Sequence, residues 1–415
     1  MPNNSSSQEL RTRYWQQMNN GQRLLELWYW TALIVSVIFV LAIPVSWYFP
    51  DFVPGIVGRM NLAIENNLGA WWSGVLLFML ACHSYDAGAA AYDRAPKVAR
   101  AWMIIAAILL FLSADEIGSL HERLSLLGNF LGVSGWAILL PLGGIIGVYL
   151  MLALYTFWQS DDGSRQYVLP LFVGFGILGS VAIQEFIELA VDWGSGASVW
   201  IRLAVEEGSE LLGMIVLLRV TLRPCMEIAD SYNISNRRLF TALSDHARRI
   251  FFVLFALIPI FTIMTILVAD HRGRLTDWLT VISFVTAGLF ALSRVMSGET
   301  TRYGRYIALA ALCLAASIAP MYFSHAAVWS ISDVVVNKQI LVSAIICLLI
   351  CGNWLVIMQT QSRNLKMLMA LFIVFTVAVP ILESNETIVI LVTQVLAVLT
   401  LGITYIVIED PEPHQ

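Results

Sequence analysis

The chain has 415 residues, 58% hydrophobic and 13% charged, with a mean hydropathy of +0.75. A soluble domain carries about a quarter charged residues, so half that share with long apolar runs excludes an ordinary soluble globule. The net charge of −5 comes without a basic cluster interleaved with aromatics, which argues against nucleic acid as a partner.

Residues 1–26 are polar. The apolar run that follows is too long for a signal-peptide core and has no A-x-A-like site after it, so no cleavable signal is expected. Within 8–26, Leu10, Tyr14, Trp15 and Met18 share one side of a helix suited to the inner membrane surface. Crossing the hydrocarbon takes ~20 apolar residues. Runs of that kind predict spans at 27–49, 69–91, 98–117, 135–157, 167–190 and 201–222. Six more are predicted at 249–269, 276–296, 304–323, 338–358, 365–383 and 387–408. The expected fold is therefore all-α and polytopic, with twelve spans in two six-helix halves, 27–222 and 249–408. A polar linker, 223–248, joins the halves, and 409–415 forms a short tail.

Lys and Arg in the loops set the orientation. With both termini cytoplasmic, only Arg59, Arg123, Arg202, Arg272, Arg274 and Lys338 of the 24 Lys and Arg face outward. Shifting the register by one span inverts this bias. Trp47, Tyr48, Trp71, Trp72, Trp158, Trp200 and Trp278 fall at predicted span ends, as an aromatic belt requires. The expected location is a bacterial inner membrane. Cys82, Cys225, Cys313, Cys347 and Cys351 lie within spans or on the cytoplasmic side, so no disulfide is expected.

Several features read as packing. Gly143 and Gly147 form a small-xxx-small pair, and Gly174, Gly176 and Gly179 line the fifth span, both patterns that let helices approach closely. Pro44, Pro141, Pro170, Pro259, Pro320 and Pro380 kink or start spans. His83 and Asp86, at i and i+3 toward the inner end of the second span, read as a satisfied buried pair, with the lower part of a proton path as the sharper alternative. Asn353 reads as interhelical glue, and nothing ties the outer-loop His271 and His325 to a site.

Three acidic segments stand apart: Asp115, Glu116 and Glu122 with His121; Glu185 and Glu188; and Glu206, Glu207 and Glu210. They hold eight of the 29 acidic residues. The third and fifth predicted spans run outward and the sixth returns, so all three segments arrive at one level, the outer leaflet or its edge. Asp115, Ser119 and Glu122 form one stripe of a continuing helix; Glu185 and Glu188, and Glu207 and Glu210, are at i, i+3. Like charges this close cannot all ionise unpaired, and Arg123, Arg202 and His121 are too few to balance them. Solvent, bound protons or bound metal must do so. The solvated-rim reading is weakened by the sixth span, which is too short unless its glutamates enter the membrane. The favoured reading is a divalent metal held by Asp115, His121, Glu122, Glu185, Glu188, Glu206 and Glu210, with Glu207 and Glu116 moving protons. Oxygen-rich carboxylate sites on bundle helices suit iron or manganese, although the Glu-x-x-His repeat of such bundles is missing, and calcium or magnesium fits as well.

The segment Phe111-Leu112-Ser113-Ala114-Asp115-Glu116…His121-Glu122-Arg123 resembles a motif of uncharacterised bacterial multi-pass membrane proteins. They share Leu-Ser-x-Asp-Glu, a following His-Glu and an acidic pair on a later span. The resemblance covers roughly the first half of the chain and implies a site without implying an activity.

Two classes of function follow. One is a metal-dependent membrane enzyme acting on a lipid or other lipophilic substrate from the bilayer. The other is a cation- or proton-coupled transporter using the same acids. Twelve spans favour the transporter, but the halves share no motif and the second is nearly free of intramembrane acids. An assembly subunit of a larger complex, with a membrane protein partner or a second copy, also fits the bland second half.

Overall fold

A computed structural model of the protein describes residues 20–48, 62, 68–118, 136–161, 163–190 and 197–231. It also describes 281, 282, 285, 288, 311, 317, 330, 331, 334 and 335. The chain divides into two compact units, Met1–Glu116 with Leu120–Leu239, and Ile117–Ser119 with Phe240–Gln415.

The first unit is a helical membrane bundle. Its helices are α1 (Asn20–Tyr48), α2 (Leu68–Ala91), α3 (Pro96–Gly118), α4 (Trp136–Gln159), α5 (Val168–Ala190) and α6 (Ala197–Ser231), with a 3-10 turn, Ser164–Tyr167, before α5. Stretches of α1 to α5 are long and apolar enough to cross a membrane: Leu25–Val45, Leu68–Ala91, Pro96–Gly118, Leu139–Gln159 and, with the turn, Ser164–Gln184. These fall on the first five predicted spans. The sixth helix is longer, but Arg202, Glu206, Glu207, Glu210, Arg219 and Arg223 interrupt its apolar pattern. It runs on to Ser231, past Pro224, so part of the predicted linker is helical. Charge ends an apolar run without ending a helix. Likewise α1 begins at Asn20, and residues 20–26 continue the span as one helix.

In the second unit, residues 281, 282, 285 and 288 are helical within the predicted eighth span, and Val281, Ile282 and Val285 are buried. Two short strands, β1 (Ser330–Ile331) and β2 (Val334–Val335), pair antiparallel. Residues 311 and 317 are helical within the predicted ninth span, and Ser317 is buried. The other predicted spans of this half, with Asn353, His271, His325, Cys313, Cys347 and Cys351, lie outside the described residues, as do the tail 409–415 and residues 1–19.

The buried core of the first unit gathers on α6, which packs against α1, α2 and α5. Its inward stripe of Leu211, Met214, Leu218, Thr221 and Cys225 repeats every three or four residues and is buried throughout. The apolar stretch of α2 is 67% buried and that of α4 only 11%, so α2 is an inner helix and α4 turns most of its surface outward. Between α1 and α2, Trp72 donates its indole N–H to Ser36 Oγ (3.0 Å) and stacks on Phe39 at 6.3 Å.

Glycine lets α5 and α6 cross closely. A Cβ on Gly213 would lie 2.9 Å from Leu178 N and 3.0 Å from Gly174 O; one on Gly174 would lie 2.7 Å from the Leu217 side chain. The predicted contacts at Gly143, Gly147, Gly176 and Gly179 are different: a Cβ at any of them meets nothing within 4 Å. Small-residue spacing marks where a close approach is permitted, and only the facing helix decides where it occurs. Because the atoms opposing Gly213 are backbone and cannot swing aside, Gly213→Ala should destabilise the protein by about 2 kcal/mol. Gly143→Ala should be neutral or slightly stabilising, since alanine is the better helix former. Unfolding midpoints in detergent check the pair, and equal effects would show that the crossing tolerates a side chain.

Candidate functional sites in the helical unit

The acidic residues of α3 and α6 meet in space. Near its end, α3 is anchored by Ser113, whose hydroxyl donates to Gly74 O of α2 at 2.7 Å. Glu116 lies three residues on, about 4–5 Å further along the helix. There its carboxyl is hydrogen-bonded to Glu210 of α6, with Glu207 and Asp115 near enough to interact electrostatically. All four side chains are half-buried. Glu206 is paired instead with Arg202 at 4.0 Å, one turn back on the same helix, and both are largely covered. Around them, Gln184 of α5 donates to Ser209 Oγ and Ser180 Oγ, each at 3.3 Å, and the Ser209 hydroxyl returns to Val205 O at 2.6 Å.

The depth of this group follows from its neighbours. Gly208 faces Val40 of α1, whose Cγ1 would lie 3.7 Å from a Cβ added there, and Val40 lies five residues inside the end of the apolar stretch Leu25–Val45. At 1.5 Å per residue that is about 7 Å below the end. Glu207 and Glu210 thus lie level with apolar helix. A hydrogen bond between two carboxyl groups needs one proton between them, and each further carboxylate raises the repulsion.

The structure places Asp115, Glu116, Glu207 and Glu210 together and Glu206 beside them on Arg202. Glu185 and Glu188 belong to the last turns of α5, and their side chains lie outside the described residues; so do His121 and Glu122 entirely. Gln184, Ser180 and Ser209 were missed. Their polarity inside an apolar run was the signal.

A second polar group lies at the other end of α6. His83, Asp86 and Cys225 each bring one ligand atom to within 4.8 Å of the others, a grouping that could hold a metal ion. The Cys225 thiol donates to His83 O at 3.8 Å and to Thr221 O at 3.5 Å. The expected satisfied pair is not what forms: among the described residues His83 Nε2 has no hydrogen-bond partner, and His83 and Asp86 instead group with Cys225, which, distant in sequence, gave no sign of joining them. Between the two groups Leu211, Met214 and Leu218 are buried, so along α6 an apolar stretch separates them and the proton-path alternative has no polar steps there.

A family model described as "Domain of unknown function (DUF8692)" matches residues 28–225, which contain α1 through most of α6 and both polar groups. No curated protein and no solved structure matches the chain.

Proposed function

We propose that the carboxyl cluster binds a divalent cation and that the protein is a bacterial inner-membrane enzyme using it on a lipid or other lipophilic substrate. The observation that supports this reading most is the direct meeting of Glu116 and Glu210 from two helices, with Glu207 and Asp115 beside them, level with apolar helix. A donor set of carboxylate oxygens with at most one histidine nitrogen suits a hard cation such as magnesium, calcium or manganese, or iron. Asp115 and Glu210 are the described ligands of choice, with Glu206 available on leaving Arg202; His121, Glu122, Glu185 and Glu188 complete the proposed set. The cation would polarise a substrate oxygen or activate water. Glu116 and Glu207 then hold and move the proton that the chemistry releases or takes up. Apolar side chains of Ile183, Ile201 and Val205 are exposed at this end of α5 and α6, which suits a substrate arriving from the bilayer.

A second reading has its own observation. Glu116 and Glu210 lie within hydrogen-bonding reach of each other, and a proton shared between them would serve a proton-coupled transporter at its coupling site. Elemental analysis of the full-length protein in detergent separates the two. The enzyme reading expects about one equivalent of a divalent metal per chain, a lower melting temperature after chelation, and reduced metal in Asp115→Asn and Glu210→Gln. Absence of a stoichiometric metal, together with Glu210→Gln melting above wild type as a mimic of the protonated acid, would establish the proton reading instead.

A further inference from the structure

We infer that His83, Asp86 and Cys225 form a second metal site, of the zinc type, clamping α2 to α6. His83 is 3% exposed and Cys225 5% exposed, and their ligand atoms and that of Asp86 lie within 4.8 Å of one another. Tetrahedral zinc with bonds of about 2.0–2.3 Å keeps its ligand atoms about 3.3–3.8 Å apart. Small rotamer adjustments close that gap. A second observation points the same way: among the described residues, buried His83 Nε2 has no hydrogen-bond partner. A buried polar atom left in that state is costly, and coordination removes the cost.

Donor chemistry selects the metal. One nitrogen, one oxygen and one sulfur are a poor set for calcium or magnesium, which take oxygen, and a good one for zinc or cobalt. On binding, the thiol loses its proton to solvent and coordinates as thiolate. Three protein ligands leave a fourth position for water or a substrate atom, the pattern of sites that do more than brace a fold. The site is independent of the carboxyl cluster. Cys225 lies 18 residues beyond Glu207 on the same face of α6, about 27 Å along the axis, past the buried Leu211, Met214 and Leu218.

The test uses the full-length protein in detergent, stripped with chelator and titrated with Co(II) alone. Wild type should take up cobalt with a thiolate-to-metal charge-transfer band in the near ultraviolet, and Zn(II) should displace it. Cys225→Ser should lose the band, His83→Gln should weaken binding on the order of a hundredfold, and Cys82→Ser should keep it. Should Cys225→Ser fail to fold, Zn(II) should still raise the melting temperature of stripped wild type beyond the shift that Mg(II) gives. Cobalt bound without a thiolate band, a band that survives Cys225→Ser, or equal shifts from Zn(II) and Mg(II) would overturn the proposal and leave a closed polar cluster.

Discussion

Arg219→Leu should destabilise the protein by about 2 kcal/mol, and Glu26→Gln added to it should restore much of that loss. Glu26 is 4% exposed although it lies on a helix that crosses apolar surroundings. Arg219 of α6 forms an ion pair with its Oε2, while Trp30 donates its indole N–H to Oε1 at 3.2 Å. The guanidinium also lies 5.0 Å above the Tyr29 ring. Removing one partner of a buried pair costs about 3–5 kcal/mol, because the survivor keeps its burial and loses its compensation. The Arg219 side chain is 45% exposed, so solvent screening lowers the expected figure. Glutamine carries no charge and retains an oxygen for Trp30, which is why the double variant should recover. Denaturation in detergent of the two single variants and the double measures the coupling. Simple additivity would mean that the pair holds nothing together.

Trp102→Ala should cost about 3 kcal/mol, near the low end for large-to-small changes in a core. The Trp102 ring meets Phe157 of α4 at 5.0 Å and Tyr167 of the 3-10 turn at 5.5 Å, and its Cβ would lie 3.2 Å from one added at Gly88 of α2. Helix α4 and the turn lose their aromatic partner on α3 when the ring is truncated, while the Cβ facing Gly88 remains. The figure stays low because lipid is as apolar as the core, so lost packing rather than lost transfer from water dominates. Leu140→Ala, at a side chain 61% exposed on α4, is the control and should change little. A Trp102→Ala protein unfolding within about 0.5 kcal/mol of wild type would show that the cavity collapses without strain.

That the first five segments are membrane helices was legible from the chain alone, because hydrocarbon demands long apolar runs whose backbone bonds close within the segment. The first five helices fall where apolar length places them. Boundaries were less legible. Helix α6 passes Arg223 and Pro224, and α1 starts before Leu25, since backbone hydrogen bonding continues where apolarity stops. The acidic motifs were visible in sequence because charge is conspicuous against an apolar background. Helical spacing aligned Asp115 with Ser119 and Glu122, and Glu207 with Glu210, but spacing orders residues only within one helix. Only packing decided that Glu116, assigned a proton-moving role, bonds to Glu210, while Glu206 turns to Arg202. The same holds for Glu26 with Arg219 and for Cys225 with His83. Each is a contact between helices far apart in the chain, and no local periodicity encodes which faces meet. The close crossings are the same case: many glycines permit one, but among the described residues Gly88, Gly174 and Gly213 face a neighbouring helix closely enough to need it.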